Sequence, residues 1–392
     1  MSAADGMRET VRDLEKSRFF SGNFLIAVVL LVIAAILPFF FDALGSELDT
    51  MVWATAYVVF ALGLNIVVGF AGLLDLGYVA FYAVGAYAIG YFASDHFNKV
   101  NGGKGIHIGA SSFAADQGIH LNFILILVIA MSMAALAGLV IGLPTLRLRG
   151  DYIAIVTLAF GEIAQNVAQN GDHISISGYK LSAGQQAISP IDEPNLPIYG
   201  VFNSALNLQP YYYLGLALVV LTLLVSFALR ESRIGRAWIA VREDEVAASS
   251  MGVPLVRTKM LAYGIGAAIG GAAGAFLGAY NQAINSNQFP FSFSILVLAM
   301  IILGGLGSIW GTVLGAVILA FVDRYLLDKV RDVPHDVFNL DFSTAEINFG
   351  IFGFILVLLM VARPEGLLPE RRRKMELTEG VGTDESLFEA RA

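Results

Sequence analysis

Long apolar runs recur along the chain, and four of them contain no charged residue: 24–41, 51–69, 121–143 and 211–229. A helix of about 20 apolar residues crosses a hydrocarbon core of roughly 30 Å. Since the runs are continuous and do not alternate between apolar and polar positions, they predict membrane helices rather than barrel strands.

Six further segments are apolar but carry an occasional charge or many glycines: residues 73–93, 151–168, 259–283, 294–309, 311–327 and 347–362. The two sets together predict an all-α fold, a polytopic integral membrane bundle of about ten transmembrane helices. Residues 1–23 then form an N-terminal arm, 24–363 the transmembrane domain and 364–392 a C-terminal tail. The boundary within Gly304–Gly311 is the least marked.

The basic residues indicate how the chain is oriented. With a cytoplasmic N-terminus, ten alternating spans place 18 of the 24 Lys and Arg residues in cytoplasmic segments. The arm holds 4 of them, the 144–150 loop 2, the 230–259 loop 6 and the C-terminal end 6. Cytoplasmic loops of membrane proteins carry such an excess. The distribution predicts that both termini are cytoplasmic and that residues 169–210 form an external loop. That loop is either part of an outer gate or a solvated connector.

Composition agrees with this assignment and excludes several kinds of chemistry. Charged residues make up 14% of the 392 residues, and the mean hydropathy is +0.71, whereas soluble domains have about a quarter charged residues. There is no cysteine, and the five histidines lack zinc-ligand spacing, so we expect no metal site. No phosphate-binding loop, catalytic triad or carboxylate pair is present. We therefore expect no enzymatic activity, no cofactor and no nucleic-acid partner.

Glu162 is the acid that lies deepest in an apolar span. It stands about eleven residues into its helix, roughly 16 Å from the start at 1.5 Å per residue. A charge at that depth costs on the order of 3 kcal/mol, so the side chain should face the bundle interior or water. Either it has a structural partner such as Asn65, Gln165 or a Tyr hydroxyl, or it forms a polar wall of a translocation path.

Glycines recur at intervals of four in two of the later spans: Gly266, Gly270, Gly274 and Gly278, and then Gly307, Gly311 and Gly315. Small residues at this spacing let membrane helices approach closely. The pattern predicts tight packing, with helices that slide against each other as the functional alternative.

The 230–259 loop contains an amphipathic helix pattern. Ile234, Trp238 and Val241 form one apolar stripe, and Pro254 ends the pattern. The stripe fits either an interfacial helix on the inner leaflet or a docking helix for a cytoplasmic partner.

Within this loop "EVAASSMG", residues 245–252, resembles the conserved-loop motif of ABC importer permeases, with Glu245, Ala247, Ala248 and Gly252 at the matching positions. The wider loop, with Arg236, Trp238 and Arg242, is similar to that of branched-chain amino acid permeases of LivM type. The segments "GLLDLGYVAFYAVGAYAIG", "LRLRGDYIAIVTLAFGEI", "GGLGSIWGTVLGA" and "RPEGLLP" resemble the same family, in order, from about residue 51 to 369.

The resemblance implies an ABC importer permease fold in a bacterial inner membrane and transport by alternating access. The solute would be a branched-chain or other neutral amino acid, or urea or a short amide within the same family. The implied partners are two cytoplasmic ATP-binding subunits, a homologous second permease and an external solute-binding protein. A different class, a secondary transporter driven by an ion gradient, would use Glu162 as its proton-linked acid and would need no docking helix.

Asn65, Asp75 and Tyr78 join Glu162 as candidate residues of the path. Asp75 stands where the family usually has Ser, and Tyr78 where it often has Gln or His. The external stretch "SAGQQAI", residues 182–188, departs from the family's Thr-Gly-Gly…Gly-Ile pattern, so the solute contacts of this loop do not carry over.

Overall fold

The computed structural model describes residues 29–109, 117–145, 151–176, 178–196, 200–204, 206–326, 353, 357 and 366–368. Within them the chain is a helical bundle, which confirms the predicted fold class. The helices are α1 Val29–Phe40, α2 Ser46–Leu64, α3 Val79–Phe92, α4 Phe123–Thr145, α5 Asp151–Asn170, α6 Gln209–Glu231, α7 Arg233–Glu243, α8 Glu245–Ser250, α9 Leu255–Asn281, α10 Phe291–Gly304 and α11 Ile309–Phe321. The N-terminal arm, most of the tail and the predicted span 347–362 lie outside the described residues.

Five of the described helical segments are long and apolar enough to cross a membrane by themselves: Ser46–Phe70, Phe123–Thr145, Gln209–Glu231, Leu255–Asn281 and Ser286–Gly304. The first of these extends α2 by a π-helical turn, Asn65–Phe70. The prediction for 73–93 was wrong at its start, because the helix begins only at Val79. Its 14 residues span about 21 Å, so the non-helical segment before it must complete the crossing.

The core is centred on α2 and α9, which pack against each other and against most of the remaining helices. The four glycines of α9 lie at these contacts. A β-carbon at Gly274 would lie 2.1 Å from the Tyr82 carbonyl oxygen of α3, and one at Gly266 would lie 2.5 Å from Val67 of the π-helical turn. Only a residue without a β-carbon permits this approach, so the glycine spacing sets the distance between the central helices.

The second glycine set differs from its prediction. Gly311 and Gly315 pack α11 on α10, where a β-carbon at Gly315 would lie 2.1 Å from the Met300 carbonyl oxygen. Gly307, however, is not on a helix face. It lies in the turn between α10 and α11 with a φ of 82°, and Gly305 in the same turn has a φ of 114°. These left-handed conformations, which favour glycine, break the helix at this point.

The connections between helices sort to two ends of the bundle. At one, the strand end, the α3–α4, α5–α6 and α9–α10 connections meet: the Asp192 N–H donates to the Ala93 carbonyl (2.8 Å), and Ile188 pairs with Ile284 in a β-bridge. At the other, the helix-pair end, α7 and α8 lie beside the α2–α3 connection and the α10–α11 turn. This sorting agrees with a chain that crosses the membrane at every span. Which end is cytoplasmic stays a prediction.

The strand end adds short β-structure that the sequence pattern does not show. The strands are β1 Ala93–Ser94, β2 Ile106–Ile108, β3 Ile119–Leu121, β4 Ser175–Ile176, β5 Tyr179–Lys180, β6 Asn195–Leu196 and β7 Gly200–Val201. The central strand β3 runs antiparallel to β1 and parallel to β2, while β4–β5 and β6–β7 are antiparallel pairs. Runs of two or three residues are too short for an alternating pattern to be recognised.

Candidate functional site

A break in the helix, residues 71–78, lies between the π-helical turn and α3 and holds two of the four predicted path residues. Two of its backbone N–H groups, which a helix would have satisfied internally, bond to side chains. The Leu76 N–H donates to Thr157 Oγ1 (3.0 Å), and the Gly77 N–H donates to Asp75 Oδ1 (2.8 Å). Just past the break, the Val79 N–H donates to Ser294 Oγ (3.0 Å). Non-helical backbone at membrane depth is tolerated only where protein satisfies it in this way.

Asp75 itself is buried, with 1% of its surface exposed. Its second oxygen, Oδ2, has no hydrogen-bond partner among the described residues. Asp75 therefore shapes the break through an Asx turn with Gly77, and it does not act as the N-cap of α3.

Asn65 and Tyr78 are buried between helices and hold them together. Asn65 Oδ1 accepts from the Gly307 N–H (3.0 Å), which ties the π-helical turn to the turn between α10 and α11. The Tyr78 hydroxyl donates to the Gly266 carbonyl of α9 (2.5 Å). Neither side chain is exposed by more than 1%, so in this conformation both act as packing contacts.

Glu162 lies on α5, the helix that packs against the break at Gly77. One side of α5 packs on the bundle through its buried residues Ile153, Ala154, Thr157, Gly161 and Ala168. Glu162, Gln165 and Gln169 lie half-buried beside that side, and Asn166 and Asn170 are exposed next to them. At 100° per residue these five polar residues share one face of α5. The Glu162 carboxylate makes no hydrogen bond with a described residue, so no structural partner of the kind considered from the sequence is found there.

The polar face of α5 leads to an open groove at the strand end. The groove has a volume of about 730 Å³, and its lining includes Gln169 and Asn170 at the end of α5 together with Lys99, Asp172 and Lys180 from the loops. The His96 ring bonds to the Lys180 carbonyl (2.8 Å) and Tyr91 donates to the Leu181 carbonyl, so the β4–β5 hairpin is held against the end of α3. The face and the groove form one continuous polar surface.

A buried pair fastens the rest of the 169–210 loop. His120 of β3 is 1% exposed, and its two ring nitrogens lie 2.6 Å from Asp192 Oδ2 and 2.7 Å from the Gln117 carbonyl oxygen. Burial raises the pKa of the Asp192 carboxyl above its ordinary value, and the hydrogen bond with His120 acts in the opposite direction. The His107 ring stacks on His120 with centroids 5.0 Å apart.

At the opposite end, α7 and α8 have one side anchored to the bundle. Trp238 is fully buried, and its indole N–H donates to the Thr258 carbonyl at the start of α9 (2.7 Å). Glu245 of α8 pairs with Lys259 at 2.6 Å, and the lysine side chain is only 4% exposed. Arg242 reaches the break region, where its Nη1 donates to the Gly69 carbonyl (2.6 Å).

The other side of α8 is exposed and carries two apolar and two polar residues, Val246, Ala247, Ser249 and Ser250, with Met251 directly after the helix. Val246 is 63% exposed and Met251 86%. Asp244 caps the start of α8 by accepting from the Val246 and Ala247 N–H groups (2.7 and 2.9 Å). Gly252, which has a φ of 88°, ends the helix. The Gly252 N–H donates to the Ser249 carbonyl and the Val253 N–H to the Ala248 carbonyl (both 3.0 Å), which is the Schellman arrangement.

The predicted loop residues therefore separate into two groups. Trp238, Arg242 and Ala248 face inward, and Glu245 is half-buried in its pair with Lys259. Arg236, Ala247 and Gly252 are exposed. The resemblance did not point to Lys259, Asp244, Thr157, Gly69 or Gly77. The clearest signal for any of them is the Asp244 position, directly before a helical run.

Comparison with known proteins gives a consistent result. A family model described as "Branched-chain amino acid transport system / permease component" matches residues 47–361. The chain is 36% identical over 382 residues to the high-affinity branched-chain amino acid transport system permease protein LivM of Escherichia coli strain K12, covering 92% of this chain and 78% of that protein. LivM of Salmonella typhimurium strain LT2 is also 36% identical, over 91% of this chain and 77% of that protein.

A shorter similarity involves a second permease. The high-affinity branched-chain amino acid transport system permease protein LivH of Escherichia coli strain K12 is 31% identical over 157 residues, which is 39% of this chain and 44% of that protein. No solved structure matches the chain.

Proposed function

The chain belongs to the family of branched-chain amino acid transport permeases, and from this premise we propose that it is the membrane-spanning permease subunit of an ABC importer for branched-chain or other neutral amino acids. It is a multi-pass membrane protein of the bacterial inner membrane type, and we place α7 and α8 on the cytoplasmic side. The ATP hydrolysis that drives transport takes place in partner subunits.

The observation that carries the proposal is the two-sided helix pair. Trp238 and the Glu245–Lys259 pair fix one side of α7 and α8 to the bundle. On the other side Val246 and Met251 remain exposed on a helix that is capped at both ends. A short, rigid helix with exposed apolar residues on its outer side has the form of a docking element for a partner. A secondary transporter driven by an ion gradient has no use for one.

The remaining partners follow from the polar surfaces. Among the described residues, Glu162, Gln165 and Gln169 lie only half-buried on one face of α5, and polar side chains at membrane depth must face water or protein. We assign it to a translocation path shared with a second, LivH-like permease. The groove that continues it at the strand end is where an external solute-binding protein would deliver the solute.

Docking is tested by changing the exposed side of α8 and leaving its anchored side intact. The tagged chain is expressed with its importer partners and purified in mild detergent, and the co-purifying ATPase subunits are quantified. Met251→Glu should reduce their recovery at least tenfold, because a charge replaces an apolar contact. Met251→Leu should keep them.

The control is Leu206→Glu, which places the same charge at a residue 71% exposed at the strand end. It should leave ATPase recovery unchanged. Full recovery with Met251→Glu would count against docking by α8. Uptake of solute by the chain alone, driven by a proton gradient in liposomes without ATP, would replace the ABC proposal with the secondary-transporter alternative.

A further inference from the structure

We propose that Arg242 is a positioning residue that transmits movement of the docking helices, α7 and α8, to the break in the helix at residues 71–78. Gly77 then transmits this movement to α5, the helix that carries Glu162. The inference rests on the proposed function. It assigns Arg242 the role of transmitting movement within this chain, although the residue lies in α7, one of the two docking helices.

Arg242 makes the contact between the helix pair and the break region. Its guanidinium Nη1 donates to the Gly69 carbonyl (2.6 Å) at the end of the π-helical turn. Its stem covers Gly72, where a β-carbon would lie 2.5 Å from Arg242 Cγ. Gly72 has a φ of 71°, a conformation that suits glycine, so the backbone turns directly under the arginine stem. The bond and the packing together make the end of α7 and the start of the break move as one body.

The break in turn is fixed to α5 at two points. The Leu76 N–H donates to Thr157 Oγ1 (3.0 Å). A β-carbon at Gly77 would lie 1.8 Å from the Thr157 carbonyl oxygen, and the Gly77 α-carbon lies 3.1 Å from the β-carbon position of Gly161. Backbone thus touches backbone at Gly77, without a flexible side chain that could absorb a displacement.

Glu162 follows Gly161 in the sequence and lies on the adjacent face of α5. A shift of the α7 end is therefore carried through Arg242, Gly69–Gly72 and Gly77 to the helix whose polar face is assigned to the path. Coupling between two sites is carried by chains of packed groups, hydrogen bonds and secondary-structure elements, and these contacts form such a chain.

The test uses the complete importer with its ATPase subunits and solute-binding protein in proteoliposomes, and it measures solute taken up per ATP hydrolysed. Arg242→Met keeps the apolar stem over Gly72 and removes the donor to Gly69. The result expected is retained ATPase subunits, retained basal ATP hydrolysis and a fall of uptake per ATP by a factor of about ten, a coupling loss of about 1.4 kcal/mol. Arg242→Lys, which restores a donor, should recover part of the ratio.

Lys104→Met is the control. Lys104 is exposed in the connection between β1 and β2 at the strand end, which is the opposite end of the bundle from α7 and α8. The substitution removes the same charge and should leave uptake per ATP unchanged. If Arg242→Met fails to insert, Thr157→Val decides the question, because it keeps side-chain shape and removes the acceptor of the Leu76 N–H. The same loss of ratio is expected.

Two results overturn the inference. Unchanged uptake per ATP in Arg242→Met, or in Thr157→Val where that variant decides, shows that movement does not pass this way. Loss of the ATPase subunits from Arg242→Met shows that the arginine is a docking residue. Failure of the proposed function looks different, since the unmodified chain would then recover no ATPase subunits at all.

Discussion

At the scale of single residues, the pair of Glu245 and Lys259 shows how an internal contact is hidden within a recognisable motif. The lysine side chain is 4% exposed and the glutamate 30%. Removing the carboxylate alone leaves a buried ammonium without its counter-charge, so Glu245→Gln should destabilise the folded chain by on the order of 3 kcal/mol. Glu245→Gln combined with Lys259→Met should recover most of that loss, because neither charge then remains. Thermal unfolding of the purified chain in detergent measures both.

The double variant separates stability from docking. If ATPase recovery returns together with thermal stability, the glutamate acts by holding α8 on α9. If stability returns but the ATPase subunits stay absent, Glu245 contacts the partner directly. Equal stability of the single variant and the unmodified chain would contradict the assignment of the pair as buried.

Sequence reasoning reached some of these residues and missed others for physical reasons. Glu245 and Gly252 belong to a motif whose spacing survives in one sequence. Lys259 lies outside that motif, and Thr157 lies in a segment that resembles the family without marking its role. Each has a role only through its partner, which is Glu245 of the preceding helix for Lys259 and the Leu76 N–H, 81 residues away along the chain, for Thr157. A lysine at the start of α9 has the same appearance whether its ammonium points to water or to Glu245.

At the scale of elements, the buried pair of His120 and Asp192 at the strand end predicts that the stability of the folded chain depends on pH. Burial raises the pKa of Asp192 in the folded state, so the folded chain holds the proton more tightly than the unfolded chain. The stability that Asp192 contributes is therefore fully present below its ordinary pKa of about 3.9 and falls as pH rises through the raised value. The charged groups that face the carboxyl are His120, His107 and Asp95.

The measurement compares the unmodified chain with Asp192→Asn, which cannot titrate. As pH rises from 4 through the folded-state pKa of Asp192, the unfolding temperature of the unmodified chain should fall relative to that of Asp192→Asn. A rise in the unfolding temperature of the unmodified chain relative to the variant would mean that the hydrogen bond with His120 lowers the pKa of Asp192 by more than burial raises it.

The sequence predicted a helix more accurately when the apolar pattern of that helix was more uniform. The charge-free runs gave α2, α4 and α6 to within a few residues at most boundaries, since a helix that faces lipid or a lipid-like core must be apolar throughout. The start of α3 was wrong because Leu73 and Leu74 are as apolar as the helix that follows, while Gly72 and Asp75 make the backbone turn away from it. Hydropathy reports where the hydrocarbon is, and it does not report whether the backbone inside it is helical.

At the scale of the whole molecule, the sequence predicted a helical membrane bundle but could not show how far the neighbouring helices cover each face of a span. Glu162 is the clearest case. Depth alone indicated a residue that must avoid lipid, and either a partner within the bundle or a water-lined path would satisfy that requirement. The structure places Glu162 on a face of α5 that the described residues cover only in part, and its carboxylate forms a hydrogen bond with none of them.

That partly covered face leads to a prediction on the assembled importer, and the absence of cysteine from the chain makes it simple to test. Glu162→Cys and Ile163→Cys place single thiols at the same depth, about 100° apart on α5. Ile163 is 55% exposed in the isolated chain, yet it should resist a charged, membrane-impermeant thiol reagent because its side faces lipid. The thiol at position 162 should react, and solute should slow the reaction at least several-fold, because the polar face lines a water-filled path. Equal labelling of both positions, or of neither, would place α5 away from the path and leave Glu162 as a residue of the subunit contact.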